Sequence, residues 1–204
     1  EDLVWAIDEL GILTISGSGR MQAFASGKAP WYDYRNYIID IQIANGITYI
    51  GTYAFQDCAA VTASIPSSVY RIGNYAFQGC RAMPELVIPE GVVVIGQNAF
   101  NFYNGSHTWS KLYLPETLQY VGQNAFSGSL EKTVAELNYA GSKTQWAQIH
   151  FGVGNSVVTG ATVNYQSPSG TTAPERVIGN LKSGYIDEDL VWAIDELGIL
   201  TISG

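Results

Sequence analysis

One short pattern recurs four times along this sequence. It reads Ile50-Gly51-Thr52-Tyr53-Ala54-Phe55, Ile72-Gly73-Asn74-Tyr75-Ala76-Phe77, Ile95-Gly96-Gln97-Asn98-Ala99-Phe100 and Val121-Gly122-Gln123-Asn124-Ala125-Phe126. The glycines stand at 51, 73, 96 and 122, so the steps are 22, 23 and 26 residues. A unit this short cannot bury an apolar face alone. A period in the twenties therefore demands stacking into a solenoid. Stacked units offer an extended surface in place of an enclosed catalytic pocket.

Between the motifs lie short apolar-polar-apolar runs: Ile41-Gln42-Ile43, Ala63-Ser64-Ile65, Leu86-Val87-Ile88 and Leu112-Tyr113-Leu114. Three are followed at once by Pro66, Pro89 and Pro115, which end a strand because proline cannot donate to a ladder. Period-two alternation turns Ile41, Ala63, Leu86 and Leu112 inward, with Ile43, Ile65, Ile88 and Leu114. A second apolar pair, such as Val69 with Ile72, follows each strand. The glycine after it supplies either an unusual backbone angle or close packing. The x-x-Ala-Phe piece reads as a short helical turn. It would set Phe55, Phe77, Phe100 and Phe126 into a stacked aromatic column.

The ends carry a second constraint. Residues 188–204 repeat residues 1–17 without a single change. Either a parent protein repeats a whole module, or the sequence overlaps itself. The repeated segment reads as a β-hairpin, with Val4-Trp5-Ala6-Ile7 joined to Ile12-Leu13-Thr14-Ile15-Ser16 through a turn at Gly11. Solenoid ends need caps, and the first copy is placed to be one. After residue 130 the repeat fades. Leu137-Asn138-Tyr139 fits a strand, Ser142 can cap a short helix over Lys143–Ile149, and Ala161–Tyr165 reads as a closing strand. The expected organisation is a hairpin cap and loop (1–37), four repeats (38–130), a C-terminal cap (131–166), a linker (167–187) and the copied hairpin (188–204).

Composition narrows the function classes. The chain is 47% hydrophobic and 14% charged, which indicates a folded protein. A net charge of −8 disfavours nucleic acid and anionic lipid as partners. No apolar run reaches the roughly 18 residues of a membrane span. Glu1-Asp2 opens without the basic and apolar stretches of a signal peptide, which fits a piece cut from a longer precursor.

The repeats resemble the BspA-type leucine-rich repeats of bacterial surface proteins. The shared pattern is I-P-x-x-V-x-x-I-G-x-x-A-F, carried here by residues 65–77 and again by 88–100. Cys58 and Cys80, each three residues past an Ala-Phe pair, also fit. Trp5 with residues 11–17 is similar to segments preceding such repeats in gut Firmicutes proteins. The resemblance covers roughly residues 38–130. It implies a β-rich, α+β leucine-rich repeat solenoid with short strands, short helical turns and a cap at each end. It further implies a secreted or cell-surface protein that binds host or bacterial surface proteins, and it transfers no catalytic residues. The third repeat departs by its length and by Tyr103 in the cysteine position. The fourth has Ser129 there.

No catalytic, cofactor-binding or metal-ligating constellation is legible. His107 and His150 lie far apart, and Ser129-Leu130-Glu131-Lys132 matches S-x-x-K without its companion motifs. Cys58 and Cys80 are either two buried thiols or a disulfide between adjacent repeats. The better candidate is the outward strand face, the concave side of such a solenoid. It carries Gln42, Ser64, Val87, Tyr113 and Asn138, with Asp40, Thr62, Glu85, Lys111 and Glu136 one row over. This is either a solvated sheet face or a peptide or glycan groove anchored by Tyr113. The long segment Asn101–Trp109 is either an aromatic binding tip or packs on the core. Three readings follow: a non-enzymatic adhesion module, a glycan-binding accessory domain stacking sugars on Trp109, Tyr113 or Trp31, and a structural spacer in a tandem array. Self-association through residues 188–204 is a further expectation, since any site accepting one hairpin accepts the other.

Overall fold

The computed structural model describes residues 3–80, 83–102, 109–127, 134–167, 183–187, 190–194 and 200–203. The chain divides into two units, residues 1–173 and 174–204. In the first unit the strands are β1 Val4–Ile7, β2 Ile12–Ser16, β3 Gly19–Arg20, β4 Asp40–Ile43, β5 Ile47–Ile50, β6 Thr62–Ser64, β7 Arg71–Ile72, β8 Glu85–Val87 and β9 Val94–Ile95. They continue with β10 Lys111–Leu114, β11 Tyr120–Val121, β12 Glu136–Tyr139, helix α1 Lys143–Trp146, β13 His150–Phe151, helix α2 Ser156–Thr159 and β14 Val163–Tyr165.

Each repeat contributes one strand to a front ladder and a shorter one to a back ladder. In front, β4 pairs in parallel with β6, and β8, β10, β12 and β14 pair in series. The register aligns Ile41 with Ala63, and Leu86 with Leu112 and Leu137. Alternation holds: Ile41, Leu86 and Leu112 are buried with Ile43, Ile65, Ile88 and Leu114. Ala63 is only half-buried, the smallest side chain of its row. The back ladder is a six-stranded sheet in the order β13-β11-β9-β7-β5-β3. The front is instead two four-stranded sheets that break between β6 and β8. The break falls beside a proline. Val61 donates to the Ile39 carbonyl, but Pro84, which fills the same place one repeat on, has no N–H to give.

The third side of the solenoid is built from turns instead of the expected helical pieces. Tyr53, Tyr75, Asn98 and Asn124 all adopt left-handed backbone, with φ between 53° and 58°. One such residue per turn forbids a right-handed helix. It also lets alternate N–H groups point at the next repeat. Phe55, Phe77 and Phe100 donate to the carbonyls of Ala76, Ala99 and Ala125 at 2.7–2.8 Å. The Ile-Gly glycine serves close packing, not the positive φ. A Cβ on Gly96 would lie 2.6 Å from the Asn74 nitrogen, and one on Gly122 2.5 Å from that of Gln97.

These turns hold the aromatic column. Phe55, Phe77, Phe100 and Phe126 are fully buried, and successive rings stack 5.0, 5.1 and 5.6 Å apart. Trp31 extends the column at 5.6 Å from Phe55, its indole N–H donating to the Ala54 carbonyl. A second, outer pair stacks beside it, Tyr53 on Tyr75 at 4.6 Å. Cys58 and Cys80 are free thiols buried in this core. Burial pushes the Cys58 thiol up to about 12, and raises Cys80 well above its ordinary value.

Stacking does not stop at residue 130. β12 and β13 join the front and back ladders in register, and Gly152 packs on the Gln123 nitrogen as Gly122 does on Gln97. The last turn substitutes a side chain for backbone: the Phe126 N–H donates to Asn155 Oδ1 at 3.0 Å. Ser142 caps α1 in a reciprocal capping box with Gln145. The helix ends at Trp146, short of the expected Ile149, because His150 must enter the back sheet.

At the other end, β1 and β2 form the expected hairpin, and β2 pairs in parallel with β4. In the second unit, β15 Ser183–Asp187, β16 Leu190–Ile194 and β17 Leu200–Ser203 form an antiparallel sheet in that order. Residues 183–187, expected to be linker, are a strand paired with β16. The remaining stretch 168–182 lies outside the described residues.

Candidate functional site

The front ladder lines up the candidate residues across repeats. Thr14, Gln42 and Ser64 form one half of the outward row. Val87, Tyr113, Asn138 and Asn164 form the other. Neighbouring strands lie about 4.8 Å apart, so each half presents a row of side chains at fixed spacing. Gln42 and Ser64 are exposed, and Val87 and Tyr113 are half-buried.

The flanking row is Asp40 and Thr62, then Glu85, Lys111 and Glu136. Hydrogen bonds tie the two rows together. Gln42 donates to Asp40 Oδ2 at 3.0 Å, and Thr62 donates to the other oxygen of the same carboxylate. Asn138 donates to Glu136 Oε1 at 2.9 Å and accepts from Asn164 at 3.2 Å. Lys111 meets Glu136 at 3.8 Å with both side chains well exposed, so that pair adds little stability. Three carboxylates against one lysine leave the face acidic. Polar order at both ends and the less polar Val87–Tyr113 step between them suit contact with another surface.

Trp109 does not belong to this face. It is 4% exposed and wedged edge-on against Phe100 and Phe126, with Phe102 beside it. Of the two readings of the long segment, packing accounts for both of its described aromatics. Tyr103 and His107 lie outside the described residues, as do Ser129 and Lys132. Trp31 is equally unsuited to sugar stacking, because it tops the buried Phe column.

Two features escaped the sequence reading. On the back sheet one row runs Arg20, Tyr49, Arg71, Val94, Tyr120 and His150. Arg20 and Arg71 flank the Tyr49 ring at 5.0 and 5.5 Å, and Tyr120 stacks on His150 at 5.2 Å. The signal was present, since each of the last five immediately precedes the Ile-Gly pair or its equivalent. The second feature is a cleft of about 900 Å³ at the N-terminal end, lined by Trp5, Leu10, Tyr34, Tyr37 and Ile39 among others. Tyr37 is 74% exposed and Leu10 67%. Trp5 lies 6.3 Å from Tyr34. No periodic pattern marks these residues, because the hairpin and the following loop stand outside the repeat.

Comparison with known proteins settles the class. The pattern described as BspA type leucine rich repeat region matches in six copies over residues 31–151. The chain belongs to this family. The match starts at Trp31 and runs through β13, beyond the four motif copies obvious in the sequence. Repeats of this type typically serve protein–protein interaction. No curated protein matches the chain. Among solved structures, a leucine-rich repeat protein from Eubacterium ventriosum is 22% identical, with a TM-score of 0.50 over 70% of this chain. The chain spans 42% of that protein's length. The Treponema pallidum leucine rich repeat protein is 16% identical, with a TM-score of 0.46 over 74% of this chain and 79% of its own. A leucine rich cell surface protein from Faecalibacterium prausnitzii is 14% identical, with a TM-score of 0.41 over 97% of this chain and 58% of its own. The first of these likenesses concerns the fold alone.

Proposed function

We propose that this chain is a non-catalytic recognition module of a secreted or surface-displayed bacterial protein, binding a host or bacterial surface protein through its front ladder. The observation that carries this is the outward row itself. Val87, Tyr113, Asn138 and Asn164 come from four separate strands yet stand in one register. Tyr113 is the anchor, a half-buried aromatic with Lys111 and the carboxylates at its rim. The acidic rim favours a partner with a basic patch.

The test is a binding screen of the whole chain against host matrix and bacterial surface proteins, followed by Tyr113→Ala on any hit. A loss of about tenfold or more is expected of a hot spot. Unchanged affinity for both Tyr113→Ala and Lys111→Ala would remove the ladder from the account. Antibody labelling of intact source cells checks the location, and labelling only after lysis would exclude a surface role.

A second reading rests on the cleft. Trp5, Tyr34 and Tyr37 give it the aromatic walls on which sugars stack. A glycan array that reports binding lost in Tyr37→Ala but retained in Tyr113→Ala would favour it.

A further inference from the structure

The geometry points to β17 as a donor strand for β4 of a second copy of this chain. This goes beyond ligand recognition and does not depend on it. The two hairpins share sequence and also register. β1 and β2 pair Val4 with Ser16, Trp5 with Ile15, Ala6 with Thr14 and Ile7 with Leu13. β16 and β17 pair Val191 with Ser203, Trp192 with Ile202, Ala193 with Thr201 and Ile194 with Leu200. Each pair is the first set advanced by 187 residues.

What differs is the edge each hairpin uses. In the first copy, β2 pairs along its free side with β4, matching Ile12 to Asp40, Leu13 to Ile41, Thr14 to Gln42 and Ile15 to Ile43. In the second copy the other strand is engaged, since β15 pairs with β16. β17 ends its sheet among the described residues, so the edge by which β2 holds β4 carries no strand there. An unpaired edge is a template for another strand. The strand that fits it is already known, because β4 accepts the same residues in the first unit. In register, Leu200 would face Ile41 of the second molecule and Thr201 its Gln42.

Exchange replaces a two-stranded cap with a three-stranded one. β15 brings antiparallel bonds that β1 lacks on its outer edge. Each molecule both donates β17 and offers β4, so the contact is head-to-tail. Such contacts build open chains unless the rotation closes them. The resident hairpin holds an advantage through its short tether, so exchange shows when that hairpin is displaced.

The full chain with Leu13→Glu performs that displacement, because Leu13 is wholly buried and a carboxylate there is not accommodated. Light scattering should show mass rising with concentration from monomer through dimers to longer species. The double variant Leu13→Glu with Leu200→Glu should not assemble. Pairing is located by adding Gln42→Cys and Thr201→Cys to the Leu13→Glu chain, which should yield disulfide-linked dimers on oxidation. Three results would each overturn the proposal. They are a Leu13→Glu chain that stays monomeric, folded or not; equal assembly by the double variant; and a cross-link formed within one chain.

Discussion

The aromatic column and the outward row of the front ladder are built from the same repeats, and they treat those repeats in opposite ways. Inside, one phenylalanine returns at every step, fully buried and stacked face to face. Outside, threonine, glutamine, serine, valine and tyrosine follow one another without repetition, ahead of two asparagines. The interior must repeat because each ring packs on its copies, and a misfit in one turn is felt by two neighbours. The exterior is free to vary because water is its default partner. Repetition therefore marks what holds the solenoid, and its absence marks what the solenoid displays.

The strongest challenge to this contrast is Phe77→Ala. Phe77 has a stacked ring on either side, so removing it should cost about 3–5 kcal/mol of unfolding free energy. Urea denaturation measures it, and a cost below about 1 kcal/mol would place the ring outside the core. Next comes Gly96→Ala, which adds one methyl group against the Asn74 backbone. An overpacking cost of about 1–3 kcal/mol is expected. Full stability would show that neighbouring turns slide apart freely.

Alkaline pH probes the interior without mutation. Burial raises the Cys58 thiol from 9.0 to about 12 and lifts Cys80 in the same direction. Unfolded thiols ionise first, so this contribution is full below pH 9.0 and is lost as the pH rises toward 12. Burial likewise raises the Tyr139 phenol from 10.0 to about 12, which adds to the loss above pH 10.0. Comparing urea midpoints on either side of pH 9.0 for the parent and for Cys58→Ala with Cys80→Ala isolates the thiol share. A parent chain whose midpoint does not move would mean that water reaches the thiols. The smallest effect belongs to Ser64→Ala on the outer row, expected within about 0.5 kcal/mol of the parent. A larger cost would turn Ser64 inward and shift the register of β6.

The same contrast explains what the sequence disclosed. The Phe column, the strand register and the hairpin were legible because each rests on residues that recur. The back ladder was harder to see, since strands such as Arg71–Ile72 and Val94–Ile95 are two residues long and too short to show alternation. Trp31 stands 24 residues before Phe55, within the spread of the repeat steps, but tryptophan disguised the phenylalanine position. Residues 134–155 hid a further turn behind α1, and there Asn155 does through its side chain what backbone does elsewhere. Alternation leaves Gln42, Ser64, Val87 and Tyr113 at least partly exposed, whereas Asn138 is buried. What the outward row binds was not legible, because recognition depends on the residues that do not repeat.

The broken front ladder has a mechanical consequence. The back sheet runs through six strands without interruption, whereas among the described residues the front shows no ladder between β6 and β8. A stack of repeats with one continuous seam and one cut seam is stiffer toward one side than toward the other. Splaying the front at Ser64 and Val87 strains side-chain packing but breaks no ladder bond between those strands. Bending the opposite way must stretch the paired back strands. The break beside Pro84 thus leaves the face a place where curvature can change without cost to a ladder.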